Sequence, residues 1–271
     1  MVESSNEALA TAVREARHLL VVTGAGISLA SGIPTFRGSD RGAVWKRDIT
    51  EMATLAFFLE DPVESWRWYL SRFACLAHAR PNAGHLALAD LERWQTKRGR
   101  DFLLVTQNID TLHAEADSRR LIEVHGTAAR VRCPSPGCRY AAPRGSLVRS
   151  DSALEAFRTD PRTETLPGCP ECQAPLRPHV LWFDELYSDH EDYRWEEVLA
   201  AGERADLALF VGTSFSVGVT DLLLRATAMR GVPVFSLDPG TASPPFSGMR
   251  TIQQPAEEAL PELVRLLESG G

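Results

Sequence analysis

Two sets of side chains in this sequence are spaced for chemistry. The first is a set of thiols. Four residues separate Cys133 from Cys138 and two separate Cys169 from Cys172, each pair enclosing proline, and the first also glycine, that bend the chain. Two such knuckles turn four thiols toward one point. Four thiolates fill the tetrahedral shell of a zinc ion and leave no open position, so such a metal is structural, not catalytic. The fifth thiol, Cys75, reads as a buried free cysteine.

The second set consists of polar residues placed directly after apolar runs. Leu19–Val22 leads into Thr23-Gly24-Ala25-Gly26-Ile27-Ser28, and Phe102–Thr106 into Gln107-Asn108-Ile109-Asp110. Leu121–Val124 leads into His125-Gly126, Leu207–Val211 into Gly212-Thr213-Ser214, and Val232–Leu237 into Asp238. Short apolar runs of this kind read as buried strands. The ends of such strands are where open α/β sheets hold ligands. The glycines allow close approach of backbone to a ligand. A helix starting near Ser28 would aim its free N–H groups at a phosphate. Asn108 and Asp110 can bond a carboxamide from both sides. His125, with an unperturbed pKa of about 6.5, suits a general base. Asp238 can accept from ribose hydroxyls. Each has a plainer alternative: a strand–turn–helix, an Asn/Asp turn, a structural histidine. Leu29 also stands where a dinucleotide fingerprint wants a third glycine. Tyr69 and Arg72 share a face of a helix, either as a carboxylate clamp or as an ordinary amphipathic pair.

The elements that must position these groups alternate between strand and helix. A surface helix is expected up to Arg17, with Ala8, Leu9, Ala12, Val13 and Ala16 at helical spacing. Residues 49–79 read as helical, with Asp61 as a cap and Pro62 in a first turn. Pro81–His85 is a turn before a helix reaching Arg93. Residues 139–168 read as a loose insertion with a short helix over Ser152–Arg158. Arg177–Glu185 reads as an apolar strand, either central or an edge open to a peptide. Helices are expected over Glu191–Glu203, Val219–Met229 and Pro255–Glu268, with a last short strand at Thr251–Gln253. Alternation of this kind implies a Rossmann-like, doubly wound parallel sheet of the α/β class. The four-Cys zinc ribbon and a helical module are insertions that build a smaller lobe. The expected large lobe is 1–38, 81–126 and 178–271. The small lobe is 39–80 (helical) and 127–177 (zinc-binding), and the cleft between the lobes is the site.

The 271 residues carry a net charge of −7, which argues against a broad nucleic-acid surface. No apolar run reaches the length of a membrane span, and the acidic N-terminal stretch does not read as a secretory or mitochondrial address. The thiol usage suits a reducing compartment, and the expected location is cytoplasmic.

Taken together, the Gly24–Gly38 string, Thr106–His113, His125-Gly126, the two Cys pairs, Arg177–Phe183 and Gly212-Thr213-Ser214 resemble the sirtuins, NAD-dependent protein lysine deacylases. The resemblance implies that Gly24, Ala25, Gly26, Ser28, Phe36 and Arg37 line the NAD phosphates and nicotinamide ribose. It implies that Gln107, Asn108 and Asp110 hold the nicotinamide end, and that Gly212, Thr213, Ser214, Asp238 and Ala256 hold the adenosine side. His125 would be the catalytic base, with Asn108 and Asp110 beside it. Val180, Leu181, Trp182 and Phe183 would pair with an acyl-lysine peptide. Ala53, Tyr69 and Arg72 are similar to the acyl pocket of sirtuins that prefer succinyl, malonyl or glutaryl groups. Substrates would be acyl-lysine proteins or peptides, without nucleic acid or membrane, and the chain is expected to be a monomer. The same fold also serves NAD glycohydrolases and mono-ADP-ribosyltransferases, and a non-catalytic NAD sensor would lack the need for His125. Three positions depart from the family pattern: Asp184 replaces a Gly, Leu55 a Pro, and Asp238 an Asn.

Overall fold

The computed structural model describes residues 5–35, 49–240 and 246–270. Phe36 and Arg37 lie outside them. Along the chain, α1 (Ser5–Glu15) leads to β1 (His18–Thr23) and a 3-10 helix, Ala25–Ser31. Then come α2 (Ile49–Met52), α3 (Leu55–Glu60), α4 (Pro62–Phe73), α5 (Ala83–Thr96), β2 (Asp101–Thr106), α6 (Leu112–Glu115) and β3 (Leu121–Glu123). They are followed by β4 (Gly126–Arg132), β5 (Leu147–Val148), α7 (Glu155–Thr159) and β6 (Arg177–Val180). The last elements are α8 (Trp195–Arg204), β7 (Leu207–Val211), α9 (Gly218–Ala228), β8 (Val234–Leu237), β9 (Met249–Ile252) and α10 (Ala256–Ser269).

Six strands form one parallel sheet in the order β3-β2-β1-β7-β8-β9. Its central strands are apolar on both faces because both faces are covered. Leu19 and Val21 of β1 pack toward α1, α5 and α10, against Leu9, Leu88 and Leu263. Leu20 and Val22 point the other way, toward Val198 of α8 and Leu223 of α9. Fully burying a side chain of this size is worth about 1.5–3 kcal/mol. A second, antiparallel sheet has the order β5-β4-β6. Its residues share a third apolar cluster with α3 and α4, in which Phe58, Trp66, Phe73, Val131, Leu176 and Trp182 meet. No helix among the described residues is long and apolar enough to cross a membrane.

Several expected elements are shorter than the sequence pattern suggested, each for a visible reason. The helical stretch from Ile49 breaks at internal caps and gives way to turns after Phe73. Phe57 N–H donates to Thr54 Oγ1 at 3.1 Å, and Glu64 N–H to Asp61 Oδ1 at 2.9 Å. A capped N-terminus restarts a helix and so interrupts the one before it. The Glu191–Glu203 helix is split into a 3-10 turn, Glu191–Tyr193, and α8 by Arg194 at φ +47°. The apolar strand from Arg177 stops at Val180, because the chain folds back so that Glu185 reaches Trp182 N–H at 2.9 Å.

The strand order reverses between β1 and β7, and this switch point is where α/β sheets open a crevice. Here the crossing is made by backbone lying on backbone. Gly24 N–H donates to Val211 O at 3.0 Å and Gly26 N–H to Gly212 O at 2.9 Å. A Cβ on Gly26 would fall 2.6 Å from Gly212 Cα; one on Gly212 would fall 2.4 Å from Ile27 N. Gly212 also sits at φ +58°, a conformation that disfavours L side chains. Two N–H groups of the glycine loop are therefore committed to β7 and not to a ligand. The helix that follows starts at Ala25, has 3-10 geometry and spans seven residues, rather than beginning near Ser28.

Gly212→Ala combines strain and backbone collision, and should cost about 2 kcal/mol or more. Gly32 has φ +84° but open space around it, so Gly32→Ala should cost only about 1 kcal/mol. Denaturant midpoints of the two variants check this; equal losses would show that crowding at the seam is unimportant.

Candidate active site

A cleft of about 1530 Å³ opens over the ends of β1, β2, β7 and β8. It is larger than the roughly 300–1,000 Å³ typical of single-ligand sites, so it has room for two reactants. The sequence-predicted NAD-site and substrate-site residues within the described range all line it. They are Gly24, Ala25, Gly26, Ser28, Gln107, Asn108, Asp110, Gly212, Thr213, Ser214, Asp238 and Ala256 on one side, with His125 between the two walls. Ala53, Tyr69, Arg72, Val180, Leu181, Trp182 and Phe183 form the opposite wall.

Its floor is a closed hydrogen-bond set. Asn108 Nδ2 donates to Gly24 O and to Ser28 Oγ, each at 3.1 Å. Ser28 Oγ donates to Asp110 Oδ2 at 2.6 Å, and Leu112 N–H to Asp110 Oδ1 at 3.1 Å. The amide protons of Asn108 are thus spent inside the protein, and what it offers a ligand is its carbonyl oxygen. Burial raises the Asp110 pKa, opposed by the bonds from Ser28 and Leu112. Gln107 reaches across the seam to Thr213 Oγ1 at 3.4 Å.

His125 stands where the chain leaves the large sheet at β3 and enters the small one at β4. Its Nδ1 lies 2.9 Å from Gln107 O. A carbonyl only accepts, so Nδ1 carries the proton of the neutral ring and Nε2 is left as the basic nitrogen. Burial in the cleft wall lowers the ring's pKa to about 4, with the Gln107 carbonyl opposing. The imidazole is therefore neutral at physiological pH, as a base requires.

The opposite wall is held by a buried carboxylate. Glu185 accepts from Arg132 and from Arg177, at 2.6 Å and 3.0 Å for the latter. Burial works against its ionisation, but the guanidiniums outweigh it and hold its carboxyl below the ordinary value. The Arg177 guanidinium lies 3.2 Å from the centre of the Trp182 ring, and the Trp182 indole N–H donates to Tyr69 Oη. Arg72 stacks on Trp68 at 3.6 Å. Both clamp residues thus face one cleft, with their polar ends held on different neighbours. The N–H groups of Leu181 and Phe183 are also engaged, with His125 O at 2.9 Å and Ala53 O at 3.0 Å.

Away from the cleft, the four cysteine sulfurs lie within 4.8 Å of one another. Cys133 and Cys172 are 3.4 Å apart, and Cys138 and Cys169 3.6 Å. These separations are far beyond a disulfide's ~2.05 Å. They approach the roughly 3.8 Å edge of a tetrahedron with ~2.3 Å Zn–S bonds, so the set fits one zinc ion. His179, His190 and Asp192 also cluster. However, His190 Nδ1 already accepts from Asp192 N–H at 3.1 Å and Arg130 lies 4.0 Å from the carboxylate, so this is a polar network rather than a cation site.

The Sir2 family profile matches residues 24–219. An NAD-dependent protein deacylase of Thermus thermophilus is 40% identical over 228 residues, covering 84% of this chain and 81% of the relative. The mitochondrial NAD-dependent protein deacylase sirtuin-5 of Canis lupus familiaris is 34% identical over 264 residues, covering 94% and 84%. The chain belongs to the Sir2 family. Among solved structures, a Sir2 homologue in complex with NAD superposes with a TM-score of 0.78 at 33% identity, covering 97% of this chain and 94% of that one.

Two of this sirtuin's departures from the family pattern are partners of each other. Asp184 Oδ1 accepts from Leu55 N–H at 2.8 Å and Oδ2 from Ala56 N–H at 3.1 Å. A proline at 55 would have no N–H to give. The Asp184 carboxylate thus caps α3 beside Ala53, rather than standing free against a substrate backbone. Asp238 lines the cleft and accepts from Gly240 N–H at 2.7 Å. The residues that sequence reasoning missed are Glu185 and Tyr187. Glu185 meets Arg132 53 residues away and Tyr187 meets His125 62 residues away, and no local spacing signals these contacts.

Two measurements check this site. The ring nitrogens of His125 should report a neutral Nδ1–H tautomer by NMR from pH 8 down to about pH 5, with a midpoint near 4. A midpoint near 6.5 would contradict the buried assignment. Metal analysis should find one zinc per chain, lost in Cys169→Ser together with the order of the small sheet. Metal-free protein with an unchanged melting profile would remove zinc from the account.

Proposed function

We propose that this chain is an NAD-dependent protein lysine deacylase that favours acidic acyl groups. The first part follows from its family and from one observation above all. A neutral imidazole, protonated at Nδ1 and basic at Nε2, lines the same cleft as the acceptor set of Asn108 and Asp110. NAD, when bound, supplies an electrophilic ribose carbon and an already cationic nicotinamide leaving group. The protein's work is then to position the reactants, exclude water and accept a proton at His125 Nε2. Gly24, Ala25, Gly26 and Ser28 would take the phosphate and ribose side, a role the family resemblance also gives to Phe36 and Arg37. Gly212, Thr213, Ser214, Asp238 and Ala256 would take the adenosine side. The N–H groups of Leu181 to Phe183 are engaged and Trp182 O accepts from Glu185 N–H at 3.1 Å, so of the Leu181 and Trp182 main-chain groups it is the Leu181 carbonyl that would meet a peptide.

The acyl preference rests on the opposite wall. Burial pushes the Tyr69 pKa up, so the phenol stays protonated. Trp182 already occupies a lone pair of its oxygen, so the hydroxyl proton is directed elsewhere. A protonated phenol and the Arg72 cation in one cleft, beside the small side chain of Ala53, suit a carboxylate-tipped acyl chain. An apolar wall this elaborate has no purpose in plain NAD hydrolysis. The same reading takes the chain as a cytoplasmic monomer with two lobes, acting on acyl-lysine proteins and not on nucleic acid.

An acyl-peptide panel with NAD should give a kcat/KM at least tenfold higher for succinyl- than for acetyl-lysine. Arg72→Met should reduce the succinyl rate by about tenfold or more, mainly through KM, as a charged hydrogen bond worth about 1.5–3 kcal/mol implies. Equal cleavage of acetyl and succinyl peptides by the native protein would sink the preference while leaving the deacylase reading in place.

A further inference from the structure

The basic nitrogen of His125 is not open to the cleft. Tyr187 Oη lies 3.1 Å from Nε2. With Nδ1–H committed to Gln107 O, Nε2 must be the acceptor and Tyr187 the donor. A proton can reach the neutral imidazole only at Nε2, and the phenol stands at that atom. Tyr187 is also anchored. Its ring stacks on Trp195 with centroids 4.4 Å apart and planes 14° apart, and lies at 5.7 Å and 22° to the imidazole. It packs against the apolar cluster that includes Val198 and Leu223. The 3-10 turn that carries it is closed by Leu186 N–H on Asp189 Oδ2 at 2.8 Å. The same side chain lines the cleft. A phenol fixed in this way does not readily step aside, so the path to the base runs through it.

We propose that Tyr187 is a catalytic residue that relays the proton of a substrate ribose hydroxyl to His125. The ribose O–H bond breaks as an O–H bond forms on the Tyr187 oxygen. The phenol's original O–H bond breaks as Nε2–H forms. The electron pair left on the ribose oxygen forms a C–O bond to the acyl carbon as that carbon's π bond to the lysine nitrogen breaks and its pair moves onto the nitrogen, and nothing is oxidised or reduced. Burial raises the Tyr187 pKa, so phenolate does not accumulate and the two transfers are concerted. This inference rests on His125 being the base of the proposed deacylation.

The test compares native protein, Tyr187→Phe and His125→Ala in two assays on one acyl peptide: acyl transfer, and exchange of labelled nicotinamide into NAD, which precedes the hydroxyl's deprotonation. Tyr187→Phe keeps the stacked ring and removes only the hydroxyl. Its acyl transfer should fall about 100-fold, the scale of general acid–base catalysis, and at least tenfold more than its exchange. The native enzyme's rate should curve with deuterium fraction in mixed H₂O/D₂O, as two moving protons require, and the variant's should not. Tyr187→Phe that deacylates as fast as native, with His125→Ala inactive, overturns the relay. So does an equal loss in both assays, the result a merely structural role would give. Full deacylation by His125→Ala would instead overturn the assignment of the base.

Discussion

The site depends on a close contact between two stretches of main chain. Where β1 and β7 end side by side, Gly26 and Gly212 leave no room for a single methyl group between them. Connections depart from this seam in opposite directions, α5 and β2 to one side and β8 to the other. That divergence opens the crevice, and the absence of side chains lets its floor lie flat. Ser28 and Asn108 then tie the glycine loop to the end of β2. Three separate segments thereby become one rigid surface on which a nucleotide can be laid.

A second constraint is electrostatic and lies across the cleft. Glu185 is a nearly buried carboxylate between two buried guanidiniums, Arg132 and Arg177. Removing one member of such a set strands the others without partners, which generally costs about 3–5 kcal/mol. The arrangement joins β4, β6 and the turn after Val180, and it places the Trp182 indole against Tyr69. The wall that carries Tyr69 and Trp182 is thus built outward from an ion cluster, while the opposite floor is built from backbone. Asp184 adds the remaining tie by capping α3. His125 belongs to neither side alone, because it occupies the two-residue passage from the large sheet to the small one.

Much of this was legible in order along the chain. Leu19–Val22, Phe102–Thr106 and Leu207–Val211 are apolar for the length of one buried strand, and each became one. The polar residues that follow them all reached one cleft. What misled was competition between local signals. Residues 49–73 carry helix-forming side chains throughout, yet Thr54 and Asp61 offer caps that restart the helix. Residues 181–183 look like the continuation of β6, but Glu185 pulls the chain back toward Arg177 at the start of that run and toward Arg132, which the run itself does not reveal. The glycine loop resembles a phosphate cradle, yet the N–H groups of Gly24 and Gly26 are used by β7.

The sequence by itself determined which apolar runs become strands of the parallel sheet, though not β4 and β5 of the small one, which four thiols can share a metal, and which polar residues stand at strand ends. Those properties depend on neighbours within a few positions, and hydrophobic period and ligand spacing record them. Only the tertiary structure decided what each polar atom is free to do. The tautomer of His125 is set by a carbonyl 18 residues away and its other nitrogen is met by a phenol 62 residues away. The amide protons of Asn108 are spent on groups 84 and 80 residues distant. Hydrogen bonds between such remote partners form only after the sheets have packed, so no local pattern carries them.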